Sequence, residues 1–163
     1  MPDIHIDAFR AADYRGVVDV ILPIQRQEFG IAITEADQPD LADISGFYQT
    51  GSGGFWVARS GGGIVGTIGL KDIGAGQAAL RKMFVAAPFR GSAHGVAGKL
   101  LDALLAHARL QRVTDIYLGT TDKFLAAHRF YEKRGFAEVR KADLPASFPV
   151  MAVDSKFYVH RNV

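Results

Sequence analysis

Apolar positions change period several times along this chain. Ile4, Ile6 and Ala8 alternate with His5, Asp7 and Phe9, the two-residue rhythm of a strand. Asp13 then precedes Val17, Val18, Val20, Ile21 and Ile24, which predicts a capped helix whose end is blurred by Pro23. Residues 34–43 are acidic and read as a loop, while Leu41, Ile44, Phe47 and Tyr48 predict a short helix after Pro39. After a turn at residues 51–54, strands at 55–58 and 64–70 flank Gly61-Gly62-Gly63, the mark of a hairpin. A further strand is predicted from about Ala78 to Val85.

The period switches to helical after Pro88. Val96, Ala97, Leu100, Leu101, Leu104, Leu105 and Ala108 fall on one face, with Lys99, Asp102 and Arg109 elsewhere on the wheel. Residues 116–118 read as a short strand, and a second clear helix runs from about Lys123 to Arg134. Gly135 with Phe136 behind it is a C-terminal cap with its hydrophobic contact. Residues 136–139 and 155–160 read as closing strands, and Pro145 and Pro149 keep the segment between them irregular. Strands first, then strand–helix–strand–helix–strand, predict one α/β domain over residues 1–163 around a mixed sheet.

Composition narrows the function classes. At 163 residues the chain is long enough for one self-sufficient core, so it needs no covalent staples. The absence of cysteine excludes disulfides, zinc–thiolate sites and a cysteine nucleophile. His5 and His160 lack metal-ligand spacing, and no metal is expected. A net charge of +2 is too small to argue for nucleic acid, but its distribution is uneven. Residues 1–80 carry 5 basic and 10 acidic side chains, whereas residues 81–134 carry 10 basic and 4 acidic. An acidic half beside a basic middle suggests two ligand fields of opposite sign. No stretch has the ~18 apolar residues of a membrane helix, and residues 1–5 do not read as a signal peptide. A cytoplasmic protein without a membrane partner is the expectation.

Two segments carry the chemistry. The first is residues 83–97, where a strand ends, a small-residue turn follows and a strong helix begins. Turn amides and the first amides of a helix have no intrahelical partner, and they point at the positive end of the helix dipole. Such a place binds phosphate, with Gly91 and Gly95 allowing close approach and Arg90 and Lys99 adding charge. Neither G-x-x-x-x-G-K-[ST] nor G-x-G-x-x-G is present, which disfavours a P-loop or a dinucleotide fold. The second segment, residues 116–136, is another strand–turn–helix. Phe124, Ala127, His128 and Tyr131 share one helix face there, and a phenol bordering a cleft can donate a proton to a leaving group.

Together the two segments resemble the GNAT superfamily of acetyl-CoA-dependent N-acetyltransferases. The first is similar to the family's R-G-x-G-x-[GA] pyrophosphate motif. The second is similar to its A-x-x-x-Y-x-x-x-G-F motif, with Ala127, Tyr131, Gly135 and Phe136 in place. The resemblance implies a single-domain acetyltransferase-type fold. Its central sheet would be mixed, mostly antiparallel and of about seven strands, flanked by about four helices. It implies acetyl-CoA as cosubstrate and direct transfer of the acetyl group to a primary amine of a small molecule or peptide. Met83, Phe84 and Val85 would pair with the pantetheine arm, and a strand amide such as that of Val85 would polarise the thioester carbonyl. Arg90, Gly91, Ser92, Ala93, His94, Gly95, Val96 and Ala97 would wrap the pyrophosphate, and His128 would border the cofactor. Tyr131 would protonate the departing thiolate. The resemblance also admits a homodimer.

The sequence departs from the family pattern at three places. The phosphate turn is two residues longer, Phe124 replaces an asparagine common seven residues before the tyrosine, and Ala79 stands where a glutamate often serves as base. Glu28 and Asp72, on the acceptor side, and His128 are then the candidate bases, though the first two read more readily as solvated surface acids and His128 as a packed or hydrogen-bonded histidine. The acidic first half would suit a cationic acceptor. His107 and Trp56 read as structural. Phe148, Met151, Phe157 and Tyr158 read as core or as the lining of an acceptor pocket or dimer seam. The alternative to an enzyme is a non-catalytic module that binds acyl-CoA and regulates.

Overall fold

Seven strands form one sheet in a computed structural model that describes residues 3–91, 95–122 and 125–161. They are β1 (His5–Ala8), β2 (Gly54–Ser60), β3 (Gly63–Gly74), β4 (Gln77–Val85), β5 (Asp115–Thr120), β6 (Ala137–Val139) and β7 (Lys156–Arg161). Their spatial order is β1-β2-β3-β4-β5-β7-β6, and only the β4–β5 pair is parallel. This is the mixed, mostly antiparallel α/β fold that the two chemical segments imply.

Among the described residues, five helices flank the sheet: α1 (Tyr14–Pro23), α2 (Pro39–Ala42), α3 (Ile44–Tyr48), α4 (Val96–Leu110) and α5 (Leu125–Lys133). The expected single short helix after Pro39 is two because Asp43 leaves helical geometry and its carboxylate caps the next turn at the Gly46 amide, 3.0 Å away. Pro23 does not end its helix. The chain continues as a wider π turn over Ile24–Glu28, closed by Phe29 N–H on the Ile24 carbonyl at 3.0 Å. β3 runs past its predicted end at Leu70 through two polar residues, because Lys71 lies over the Phe47 ring and Asp72 accepts from backbone amides.

Core residues lie on both faces of the sheet. Leu100, Leu101, Leu104 and Ala108 of α4 pack with Ile68, Leu70, Ala78, Leu80 and Ile116, and Tyr131 of α5 joins this layer. Val17 and Ile21 of α1 pack with Leu41, Ile44, Tyr48 and Phe55 on the other side. His107 and Trp56 are structural as expected: the ring stands edge-on to the indole, with Nε2 between the carbonyls of Ser52 and Gly53.

The edge of the sheet is tied to the entry of α1 by charge. Arg59 on β2 bonds both carboxylate oxygens of Asp13 at 2.8 Å and Asp7 at 2.8 Å. That guanidinium holds the buried Asp13 carboxyl below its ordinary value. A depressed carboxylate stabilises the fold above its unfolded pKa and loses that contribution as pH falls through its folded one. The stability gap between wild type and Asp13→Asn should therefore be widest above about pH 4 and close as pH falls below it, read by urea titrations along a pH series.

Candidate functional site

The sheet opens into a fork where its one parallel pair stops. Gln77, Ala78 and Ala79 pair with Asp115, Ile116 and Tyr117, and beyond them β4 stays with β3 while β5 stays with β7. A bulge between the Gly69–Arg81 and Thr67–Phe84 pairs turns β4 further. Lys82 sits in it with φ +54°, and the Thr67 hydroxyl donates to its carbonyl at 2.7 Å. Ala86 N–H bonds the Val65 carbonyl, so the alternation of an antiparallel ladder directs the N–H and C=O of Val85 away from β3. The lower arm of the fork thus presents strand backbone along its open edge.

The start of α4 stands beside that edge. Gly91 and Gly95 have φ of +96° and +64°, a region other residues enter only with strain, so the tight turn into the helix requires them. Ser92, Ala93 and His94 lie outside the described residues. The helix ladder begins with Lys99 N–H on the Gly95 carbonyl at 3.0 Å, which leaves the amides of Val96, Ala97 and Gly98 at the positive end of the helix. The Val96 side chain is buried beneath the sheet, so only its backbone can face a ligand, and Lys99 is exposed.

Two residues expected on different ligands meet each other. Arg90 clasps Glu28 with bonds of 2.6 and 2.9 Å, and its Nε donates to the Val85 carbonyl at 2.8 Å. This hydrogen-bonded guanidinium holds the Glu28 carboxyl below the usual range, which makes it a weak base. Asp72 lies at a turn, its carboxylate accepting from the amides of Ser52 and Gly74 at 3.2 and 2.8 Å.

Tyr131 comes to the fork from α5. It is buried, and its hydroxyl lies 3.7 Å from the Met83 sulfur on β4. Burial pushes the phenol up to about 12, so it is protonated throughout the neutral range. His128, one turn earlier, places Nε2 2.8 Å from the Thr121 carbonyl and so ties α5 to the end of β5. A carbonyl only accepts, so that nitrogen carries the proton.

Most acids of residues 1–80 have partners within the chain. Asp7 and Asp13 hold Arg59, Glu28 holds Arg90, Glu35 meets Tyr14 and Arg15, and Asp43 and Asp72 accept from turn amides. Asp40 is buried and accepts from Tyr48 at 2.6 Å, with the Lys82 ammonium 3.7 Å away and donating to the Gln38 side-chain oxygen. Burial pulls the Lys82 ammonium down and pushes the Tyr48 phenol well up.

Sequence reasoning missed Lys82, Asp40, Arg81 and Asp154. A signal existed for the first: Arg81-Lys82 are consecutive charges inside an apolar strand, which breaks the alternation as a bulge does. Of the four apolar residues left open between core and pocket, Phe148, Phe157 and Tyr158 are core, while Met151 is exposed beside Arg81.

The fold has counterparts among known proteins. The chain belongs to the acetyltransferase (GNAT) family, which it matches over residues 18–136. It is similar to a GNAT-family acetyltransferase from Staphylococcus aureus, at 40% identity and a TM-score of 0.91, covering 98% of this chain and 99% of that one. It is also similar to a probable N-acetyltransferase family 8 member 5 of Mus musculus, 36% identical over 120 residues, or 71% of this chain. The chain spans 52% of that mouse protein's length. The PaiA N-acetyltransferase of Thermoplasma acidophilum, solved in complex with coenzyme A, shares the fold at 14% identity with a TM-score of 0.74, over 98% of this chain and 99% of that one. Among the described residues, no helix is long and apolar enough to cross a membrane.

Proposed function

We propose that this chain is an acetyl-CoA-dependent N-acetyltransferase acting on a primary amine of a small molecule or peptide. The observation that carries this reading is the fork itself, with the Tyr131 hydroxyl beside Met83 on its open edge. Acetyl-CoA supplies a thioester acyl group activated toward amines. The backbone of Met83, Phe84 and Val85 takes the pantetheine arm as a neighbouring strand would be taken, and the Val85 N–H polarises the thioester carbonyl. The turn from Arg90 to Gly95, including Ser92, Ala93 and His94, and the first amides of α4 at Val96 and Ala97 receive the pyrophosphate. Tyr131, which burial keeps protonated, donates its proton to the departing sulfur. His128 sets the start of α5 and thereby the position of Tyr131. Arg90 holds the Glu28 carboxyl low and makes it a poorer base, and the acceptor ammonium can lose its proton through water.

Calorimetric titration of acetyl-CoA, followed by thiol release against a panel of amines, tests the proposal. Saturable binding with thiol release for at least one amine supports it. Binding without release from any amine favours a regulatory module that holds acyl-CoA, and no binding removes both. The pH–rate profile gives a separate check: no descending limb from Tyr131 should appear below about pH 11, because its phenol ionises only near 12.

A further inference from the structure

The face of the fork opposite α4 carries charges that no step above uses. Ala79, the last residue of β4 paired with β5, packs on this face with Tyr117, Phe148 and Phe157, and strand alternation puts Arg81 on the same face at the mouth of the fork. Arg81 is half-buried, with its guanidinium 5.5 Å from the Phe47 ring centre and 3.6 Å from the Met151 sulfur. Among the described residues it is the only arginine that is withdrawn from solvent and has no carboxylate partner. Arg59, also half-buried, holds two, and Arg10, Arg26, Arg109, Arg112 and Arg129, which also form no ion pair, are exposed. Lys71 lies over the same phenyl ring, 4.6 Å from its centre, and forms no ion pair among the described residues either. A half-buried guanidinium with no carboxylate within ion-pair distance has donors left for an arriving anion.

The opposite charge comes from the β5 arm. Asp154 lies over Gly119, where an added Cβ would fall 2.5 Å from its carboxylate, and it accepts from the Met151 amide at 2.9 Å. Met151 therefore touches both charges, Arg81 through its sulfur and Asp154 through its N–H. Burial pushes the Asp154 carboxyl up and the field of Arg81 opposes it.

We infer that the acceptor carries a carboxylate as well as the amine, and that Arg81 recognises this carboxylate at the mouth of the β4–β5 fork. The inference rests on the acetyltransferase reading for its chemistry and names the substrate class of that same site. Arg81 offers a planar donor fork that matches a carboxylate with two hydrogen bonds, Lys71 adds positive field, and Asp154 faces the ammonium. This arrangement fits a zwitterion of amino-acid type and repels a polyamine. It also brings the acceptor in from the face opposite Tyr131, so that amine and proton donor flank the thioester from two sides.

Matched pairs test this: α-amino acids, each beside its carboxamide, with spermidine as the polycation. Binding is measured by calorimetry on the protein saturated with coenzyme A, and turnover by thiol release with acetyl-CoA. Wild type should prefer the carboxylate of the best pair by about 10- to 100-fold, the span of one charge-assisted contact. Arg81→Gln should bring that ratio near one, chiefly through KM, and Arg81→Lys should recover part of it, with acetyl-CoA affinity reporting that both variants fold. Equal or better binding of carboxamides or spermidine by wild type would overturn the inference. So would an Arg81→Gln variant that weakens both members of each pair alike. Carboxylate-dependent binding without thiol release would support Arg81 as the anion site while removing the transferase reading.

Discussion

Tyr131→Phe is expected to lower kcat about 100-fold or more, the usual worth of a placed general acid. The loss should fall on kcat with little change in acetyl-CoA affinity, because the phenol stabilises a sulfur anion that exists only as the bond breaks. Stability should hardly move. The ring packs with Phe130, Phe136 and Tyr158 at centroid distances of 5.5 to 6.0 Å, all of which phenylalanine keeps, and the hydroxyl has only a weak 3.7 Å contact with the Met83 sulfur. Steady-state kinetics beside a thermal melt separate the two effects. An unchanged kcat would move the proton to another source, and a lost fold would show that the phenol is structural.

The largest stability effect is expected from Asp40→Ala. The Lys82 side chain is 9% exposed and that of Asp40 7%, so truncating the acid strands an ammonium in the core. Removing one partner of a buried pair costs about 3–5 kcal/mol, a large share of the roughly 5–15 kcal/mol that holds a domain of this size. The Tyr48 hydroxyl loses its acceptor in the same step. The double variant Asp40→Ala, Lys82→Met should regain much of the loss, since no charge is then left in the interior. Urea midpoints of the wild type, the single and the double variant measure this directly. Equal midpoints for wild type and Asp40→Ala would mean that Lys82 reaches water or sheds its proton at little cost.

What the amino-acid order reveals and what it hides follows from range. The hairpin at Gly61-Gly62-Gly63, the α4 stripe from Val96 to Ala108 and the cap at Gly135 are local signals, and the structure has each. The two chemical segments were legible because glycine, helix start and tyrosine lie within a few turns of one another. Whether a charge is free is a long-range fact. Glu28 and Arg90 are 62 positions apart, and Lys82 and Asp40 42, so nothing in either neighbourhood marks them as partners. Arg81 and Asp154 come together through an irregular segment between Pro149 and β7 that has no period to read. The bulge was visible only as a break in alternation.

Among the described residues, the backbone link between the β1–β4 half of the sheet and the β5–β7–β6 half is three residue pairs and the Thr114 N–H on the Gly76 carbonyl. Such a short seam is where the sheet is expected to yield first, between two units formed by its two halves. Amide exchange should proceed through separate openings in the free protein, with Gln77, Ala78 and Ala79 reporting the seam. Any molecule that lays polar groups along the edges beyond Ala79 supplies the missing rungs. It then acts as a splint, merging the two units into one and raising the midpoint of thermal unfolding with its concentration.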